Sequence, residues 1–237
     1  MSDFAEAFAR ARDIDGWLTE GQARRLWERA SELAAGATVV EIGSFRGRSA
    51  VVIASALPAR AQLVAIDPHA GGDRGPQEIE SEATRGEADH EAFVANLERA
   101  GVTDRVRHVR LMSSEALDAV DAEVDLLYID GAHRFGPARD DLVRWGDRVR
   151  PGGVMLVHDS FSSIGVTLAT LRSVSFGGRW RYAGRTRTLA EFRRAELSGG
   201  ARAANAARQL AQLPWFAWNV LLKVLITAHV VRRPWPY

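Results

Sequence analysis

Five short apolar segments alternate with helical segments between residues 38 and 157, and this order constrains the fold of the chain more than any other feature. Apolar strands separated by helices form a parallel sheet that helices cover on both faces. The pattern therefore predicts an α/β protein. The predicted strands are 38–42, 62–66, 105–110, 124–129 and 154–157, and the predicted helices between them are 48–57, 88–100, 114–120 and 137–149.

Segments on both sides of this core complete the predicted domain. Residues 19–35 predict a helix, because Thr19 and Gln22 make a capping box before helically spaced apolar residues. Residues 180–195 predict a final antiparallel pair of strands. We divide the chain into a domain of residues 1–197, with N-terminal helices in 1–36 and the core in 37–197, and a helical C-terminal appendage of residues 198–237.

The residue types exclude several classes of chemistry. Of the 31 basic residues, 30 are arginine, and the single lysine is Lys223. A P-loop NTPase and a Schiff-base enzyme both need a lysine, so neither site fits in the first 222 residues. The chain has no cysteine, which excludes disulfides, thiolate nucleophiles and cysteine-based metal sites. The N-terminus lacks a leader pattern, so we expect a cytoplasmic protein.

Charge is distributed unevenly along the chain. Residues 179–237 carry 11 basic and 2 acidic groups, a net of +9, whereas residues 1–178 carry 20 basic and 28 acidic groups, a net of −8. The acidic body argues against a nucleic-acid partner. The basic end predicts contact with something negatively charged.

A glycine loop follows the first predicted strand. It reads Glu41-Ile-Gly-Ser-Phe-Arg-Gly-Arg-Ser49, and Asp67 ends the second strand 24 residues after Gly43. Glycines at a strand–helix turn allow a ligand to approach the backbone closely, and a helix N-terminus favours negative charge. The G-x-x-x-G spacing differs from the G-x-G-x-x-G of nicotinamide-binding proteins, which disfavours an oxidoreductase.

This loop, together with Asp67 and with residues 151–153 (Pro-Gly-Gly), resembles the first motif and its partners in the class I S-adenosylmethionine-dependent methyltransferases. The chain from about residue 16 to 194 is further similar to small bacterial O-methyltransferases of sugars and natural products, which are distantly similar to the macrocin and catechol O-methyltransferases. The resemblance implies a Rossmann-like sheet of seven mostly parallel strands, with helices on both faces and one antiparallel strand near the end. The matching landmarks are residues 41–49, 129–133, 151–153 and 157–160.

The same resemblance implies a binding site for S-adenosylmethionine. Asp67 would bind the ribose hydroxyls, because a carboxylate is a natural acceptor for a vicinal diol, and Glu41 would lie near the amino-acid end of the cofactor. Ser113 and Ser114 would border the adenine. The expected cofactor-binding residues are Glu41, Gly43, Ser44, Gly47, Ser49, Asp67, Ser113, Ser114 and Asp130.

Asp130 and Asp159 each stand just after a predicted strand. Neighbouring strands lie about 4.8 Å apart, so these carboxylates can converge, and two such oxygen donors suit Mg²⁺. In metal-dependent members of the resembling group an Asp or Asn follows the second aspartate. Ser160 holds that place here, which gives an expected ligand set of Asp130, Asp159 and Ser160. Alternatively, the two aspartates bind substrate hydroxyls or cap helices.

Two histidines beside these aspartates are candidates for the general base. In the catechol-type relatives, a lysine three residues after the first aspartate removes the hydroxyl proton, and that position holds His133 here. A histidine, with a reference pKa of about 6.5, can act as a base at neutral pH. His158 is the rival base, and Asp130 completes the expected catalytic set. Alternatively, His133 stabilises its own loop.

Residues 70–87 are rich in Gly, Glu and Asp and show no periodicity, so we expect a mobile loop. This loop is either a lid over the substrate or a solvated surface segment. His69 is expected beside the cofactor or the loop, whereas His108 and His229 are expected away from the site.

Residues 213–231 form an apolar segment of 19 residues, in which Asn219, Lys223 and Thr227 make one narrow polar stripe. A membrane span needs about 20 apolar residues, and a lysine in mid-segment argues against a simple span. Two interpretations stay open. The segment packs on its own domain or in a homodimer or higher oligomer, or residues 213–233 lie as an interfacial helix at the inner face of the membrane.

These features together predict an O-methyltransferase. It would transfer the methyl group of S-adenosylmethionine in line to a hydroxyl of a sugar, a lipid-linked glycan or a secondary metabolite, with His133 as base and with or without Mg²⁺. The alternatives are a catalytically silent methyltransferase-fold binding subunit and a nicotinamide oxidoreductase.

Overall fold

A seven-stranded sheet forms the centre of the protein in the computed structural model, which describes residues 3–72 and 80–231. The strands are β1 Thr38–Ile42, β2 Gln62–Ile66, β3 Val106–Val109, β4 Val124–Ile129, β5 Val149–Val157, β6 Trp180–Thr186 and β7 Leu189–Arg194. Their order is β3-β2-β1-β4-β5-β7-β6, and β7 runs antiparallel to both of its neighbours. The predicted fold, including its one antiparallel strand, is confirmed.

Helices cover both faces of this sheet. They are α1 Phe4–Ala11, α2 Glu20–Ser31, α3 Arg48–Ala56, α4 Ala83–Ala100, α5 Phe135–Arg144, α6 Ile164–Thr170, α7 Gly199–Leu210 and α8 Leu213–Thr227. Successive strand residues face opposite sides, so Val39 packs with α1 to α4 in one buried cluster and Val40 packs with α5 and α6 in the other.

The register of the parallel strands brings their carboxyl ends to one edge of the sheet. Ile42 of β1 pairs with Ile66 of β2 and with Ile129 of β4, and Ile129 pairs with Val157 of β5. The residues that follow these four strands therefore stand side by side. This edge is where open α/β sheets bind ligands.

Several elements begin or end elsewhere than the sequence predicts. The predicted loop 70–87 is helical from Ala83, because a helix containing Gly86 can lie against the backbone of His69, where a Cβ atom would come within 2.0 Å of the carbonyl oxygen. Residues 73–79 of that loop lie outside the described residues. In place of a helix over 114–120, the chain forms a 3₁₀ turn at Leu117–Ala119.

Other boundaries shift in the second half of the chain. β5 already begins at Val149, so the predicted turn 151–153 lies within the strand. The helix after it, α6, has no counterpart in the sequence prediction and continues into a π-helical turn, Leu171–Ser175. The expected linker 198–200 is the start of α7, since Ser198 takes the N-cap position.

Buried amides attach the two C-terminal helices to the domain. Asn205 of α7 accepts a hydrogen bond from the backbone N–H of Tyr182 (2.7 Å) and donates one to the carbonyl of Trp180 (2.9 Å). Asn219 of α8 donates to the carbonyl of Phe161 (3.1 Å). The appendage is therefore bonded to the sheet and to the β5–α6 connection, and the domain boundary at residue 198 stays a prediction.

The turn after β1 should not tolerate a side chain. Gly43 has φ +84°, and a Cβ atom there would lie 2.3 Å from the carbonyl oxygen of Asp130. Gly36 has a similar φ of +79° but open space around it. Left-handed backbone alone costs about 1–2 kcal/mol, so Gly36→Ala should lose that much stability. Gly43→Ala should lose about 1–3 kcal/mol more from overpacking, as measured by urea denaturation; equal losses would contradict the close contact.

Candidate active site

A cavity of about 920 Å³ opens at the carboxyl edge of the sheet. Its walls come from the loop after β1, the ends of β2, β4 and β5, the segment between α1 and α2, and α8. The volume is near the upper end of the usual range for small-molecule sites, about 300–1,000 Å³. One cavity can therefore hold two small molecules side by side.

The carboxylate of Asp67 organises the glycine loop from the next strand. Its Oδ2 atom accepts hydrogen bonds from the backbone N–H groups of Ser44 (2.9 Å) and Phe45 (2.8 Å), and its Oδ1 atom accepts one from the N–H of His69 (2.8 Å). A carboxylate oxygen can accept more than one bond. Asp67 thus keeps acceptor capacity toward a diol in the cavity while it holds the loop.

Most of the residues expected to bind the cofactor line this cavity. Glu41 and Gly47 lie behind the loop and do not line it, and Ser114 is exposed outside it. The hydroxyl of Ser113 donates to the buried carboxyl of Asp141 (2.5 Å). The expected residues that do line the cavity are Gly43, Ser44, Ser49, Asp67, Ser113 and Asp130.

Glu41 is fully buried beneath the glycine loop. Burial raises the pKa of its carboxyl to about 8, the negative charges of Asp130 and Asp67 add to that rise, and the hydroxyls of Ser49 and Ser44 oppose it. Glu41 is therefore protonated at neutral pH. It supports the floor of the loop, and it does not present a charge to the cavity.

A compact group of two carboxylates and two imidazoles occupies the other half of the cavity. Nε2 of His133 is 2.8 Å from Oδ2 of Asp159. Nδ1 of His158 lies between the carboxylates, 3.1 Å from Asp130 and 3.3 Å from Asp159. The hydroxyl of Tyr128 donates to Asp130 (2.8 Å). Every carboxylate in the group has a hydrogen-bond donor.

The environment sets the charges in this group. Burial lowers the pKa of the His158 imidazole, but the charges of Asp130 and Asp159 raise it well above its ordinary value. Burial also lowers the pKa of His133, and the hydrogen bond and charge of Asp159 outweigh it, so the net shift is upward. The pKa of Asp159 is well below its ordinary value despite burial, because both histidines stabilise its anion. His158 is thus a fixed cation.

The expected magnesium ligands do not converge as predicted. The hydroxyl of Ser160 is buried and donates to the carbonyl of Val157 (3.0 Å), outside the cavity lining, so Ser160 is a helix-turn residue in place of a ligand. The side chains that do converge are Asp130, His133 and Asp159, whose ligand atoms lie within 4.8 Å of one another. This set fits Mg²⁺ poorly, because Mg²⁺ prefers oxygen ligands and the imidazole of His158 already lies between the two carboxylates.

Comparison with known proteins identifies the family. The family described as "Methyltransferase domain" matches residues 40–160, which is just over half of the chain and includes the glycine loop, Asp67 and the Asp–His group. The chain belongs to this methyltransferase family. The alternative of a nicotinamide oxidoreductase is therefore set aside.

Solved structures share the methyltransferase fold. The O-methyltransferase TomG from Streptomyces achromogenes, involved in tomaymycin synthesis and solved with SAM, is 21% identical, with a TM-score of 0.54 over 84% of this chain and 92% of TomG. An O-methyltransferase from Bacillus cereus, solved with SAH, is 18% identical, with a TM-score of 0.56 over 82% of this chain and 87% of that protein. At this identity the likeness shows the fold.

Two parts of this methyltransferase site were missed by the sequence analysis. The segment Asp15–Leu18 lines the cavity, where the Trp17 ring lies 5.4 Å from the Phe45 ring. Lys223 of α8 also lines it and donates to the carbonyl of Ser162 (3.2 Å). Burial lowers the pKa of the Lys223 ammonium, against the attraction of Asp159. The available signal was the position of the single lysine within an apolar helix.

The buried carboxyl of Glu41 should make the stability of the ligand-free methyltransferase depend on pH. Its pKa is about 8 in the folded protein and 4.5 ordinarily, so the folded state binds more protons between those values. The free energy of unfolding should fall as pH rises from about 4.5 to about 8, at about 1.4 kcal/mol per pH unit at most. Glu41→Gln should flatten this slope in urea denaturation, and exposed Glu115→Gln is the control. An unchanged slope in Glu41→Gln would contradict the assignment.

Proposed function

We propose that the protein is an S-adenosylmethionine-dependent O-methyltransferase acting on a hydroxyl of a sugar, a lipid-linked glycan or a secondary metabolite. The observation that carries this proposal is the hydrogen-bonded pair His133–Asp159 in the same cavity as Asp67 and the glycine loop. One half of the cavity offers a cofactor site. The other half offers a base.

The cofactor half matches the chemistry of a nucleoside. Asp67 presents a carboxylate for the ribose diol at the end of β2. Ser113 and the apolar side chain of Met112 line the cavity beyond the end of β3, where an adenine ring would lie. Asp130 stands where the sulfonium end of the cofactor would approach the acceptor, and its negative charge favours a sulfonium over the neutral thioether product.

The acceptor half matches removal of a proton during methyl transfer. The acceptor oxygen forms a bond to the methyl carbon as the sulfur–methyl bond breaks in line, and the sulfonium becomes a neutral thioether. The hydroxyl proton passes to His133. Since Nε2 of His133 is bonded to Asp159, Nδ1 takes the proton, and Asp159 stabilises the imidazolium that results. This geometry is that of a histidine base held by a carboxylate.

His158 serves a different role from the base that the sequence left open. Its imidazole is already charged and 2% exposed, so it cannot accept a proton at neutral pH. It keeps Asp130 and Asp159 together without a metal ion. We therefore propose that methyl transfer by this chain does not depend on Mg²⁺, and that cytoplasmic location and a homodimer or higher oligomer remain predictions.

The carboxylate of Asp67 should read the ribose of the cofactor. Isothermal titration calorimetry with S-adenosylhomocysteine and with its 2′-deoxy analogue separates this role from support of the loop. The wild type should prefer the hydroxylated ligand, and Asp67→Asn should bind both about equally and about 10- to 100-fold more weakly, since hydrogen bonds to a charged group contribute about 1.5–3 kcal/mol. A variant that keeps the wild-type preference would sink the cofactor assignment.

His133 should be needed for turnover and not for cofactor binding. Product mass spectrometry with a panel of free sugars, glycolipids and polyphenols identifies an acceptor, and His133→Gln should then lower turnover about 10²- to 10⁴-fold. Wild-type turnover should rise with pH through the raised pKa of His133, because only the neutral imidazole accepts a proton. His90→Gln, outside the cavity lining, is the matched control.

Two further arms make this experiment decisive. Calorimetry with S-adenosylhomocysteine should show unchanged affinity in His133→Gln, and EDTA should leave wild-type turnover unchanged. Loss of turnover in EDTA with recovery in Mg²⁺ would return Asp130 and Asp159 to a metal site. Normal turnover in His133→Gln would end its assignment as the base.

A further inference from the structure

The polar side chains of α8 face the protein. Asn219 donates to the carbonyl of Phe161, Lys223 donates to that of Ser162, and Thr227 lines the cavity. These three are the polar residues among the 15 residues of the helix. By length and composition the stretch Gly199–Thr227 could cross a membrane, but these bonds hold α8 along the surface of the domain.

The outward side of α8 is apolar. Trp218 is 55% exposed, Leu221 48% and Val224 57%. A helix on the surface of a protein in water has the opposite arrangement, with polar residues outward. Only 6% of the most apolar window of this stretch is buried, so it is not a core helix. A contiguous exposed apolar surface of this kind marks a site of interaction.

The exposed apolar surface continues to the mouth of the cavity. Val224 and Ile164 both line the cavity, and each is 57% exposed. Leu168 follows Ile164 one turn later on α6 and is 48% exposed. A molecule entering the acceptor half therefore crosses an apolar rim formed by α6 and α8.

The charge of the same region selects the kind of surface. From Leu197 to Tyr237 the chain carries no Asp or Glu and five basic residues. Arg202 and Arg208 on α7 are exposed. Basic residues beside an anionic membrane contribute about 1 kcal/mol each, and an apolar helix face adds burial in the interface. A second copy of the chain would bring like charges together, which disfavours a dimer through this face.

We propose that α8 docks its outward face on an anionic lipid surface and that the acceptor is an amphiphile drawn from that surface. Its hydroxyl-bearing head enters the cavity beside Lys223, and its apolar part stays on the rim of Ile164 and Val224. This inference rests on the proposed function and narrows its acceptor to a lipid-linked molecule. The ammonium of Lys223, within the wall, is a donor for an oxygen of the head group.

Vesicle flotation tests the docking surface. Full-length protein should float with vesicles of phosphatidylcholine containing about 30% phosphatidylglycerol, and much less with phosphatidylcholine alone or at high salt. Trp218→Ser with Leu221→Ser, neither of which lines the cavity, should reduce binding about 10-fold or more. The matched control is Val94→Ser with Leu111→Ser, two apolar residues that are 38% and 43% exposed elsewhere.

The other outcomes of this experiment are informative. Equal losses in both double variants, or no preference for anionic vesicles, would overturn the docking proposal. So would a lipid-free dimer in sedimentation velocity that the Trp218/Leu221 variant dissociates. Calorimetry with S-adenosylhomocysteine confirms that each variant is folded. Wild type that binds this ligand but not vesicles refutes only the inference, whereas wild type that binds vesicles but not this ligand refutes the proposed function.

The single lysine permits a direct test of the head-group position. Labelling with ¹³Cε-lysine gives one side-chain NMR signal, that of Lys223. n-Octyl β-glucoside below its micelle concentration should shift this signal, and glucose at the same concentration should not, because the apolar rim holds only the amphiphile. Equal responses to the two sugars, or no response to either, would overturn the assignment of an amphiphilic acceptor.

Discussion

The common register of four parallel strands is the constraint on which the site depends. Because β1, β2, β4 and β5 end level with one another, Gly43, Asp67, Asp130 and His158 form one row at the edge of the sheet. Nothing else in the chain brings these residues together, since they come from four separate segments. The close approach of Gly43 to the carbonyl of Asp130 joins the cofactor half of the row to the acceptor half.

Charge along this row is balanced by burial. A buried carboxylate is costly without a partner, and the protein resolves the problem in two ways. Glu41, deep under the loop, takes up a proton. Asp130 and Asp159 stay charged because the buried imidazolium of His158 lies between them. A negatively charged cavity suits a cationic sulfonium, and the fixed histidine cation performs the neutralisation that a metal ion provides elsewhere.

The sequence predicted the elements whose signals are local. Alternating apolar strands, the glycine loop and the capping box of Thr19 and Gln22 all depend on neighbouring residues, and the structure shows them. Signals that depend on distant partners were missed. The orientation of the Ser160 hydroxyl follows from a turn in which Asp159 has φ +53°, and the early start of α4 follows from contact between Gly86 and His69. Neither contact is written in a local pattern.

The single lysine shows how the same limit applies to function. In the sequence, Lys223 is a polar break in an apolar helix, which argues against a membrane span and says nothing of a cavity. The structure places its ammonium at the cavity wall because α8 packs with its polar stripe inward. An arginine has a rigid fork of five donors that needs several acceptors, and this wall offers it the carbonyl of Ser162. A flexible ammonium can be satisfied there and still turn a donor toward an acceptor molecule. The inward lysine and the outward apolar face are thus two consequences of one helix orientation.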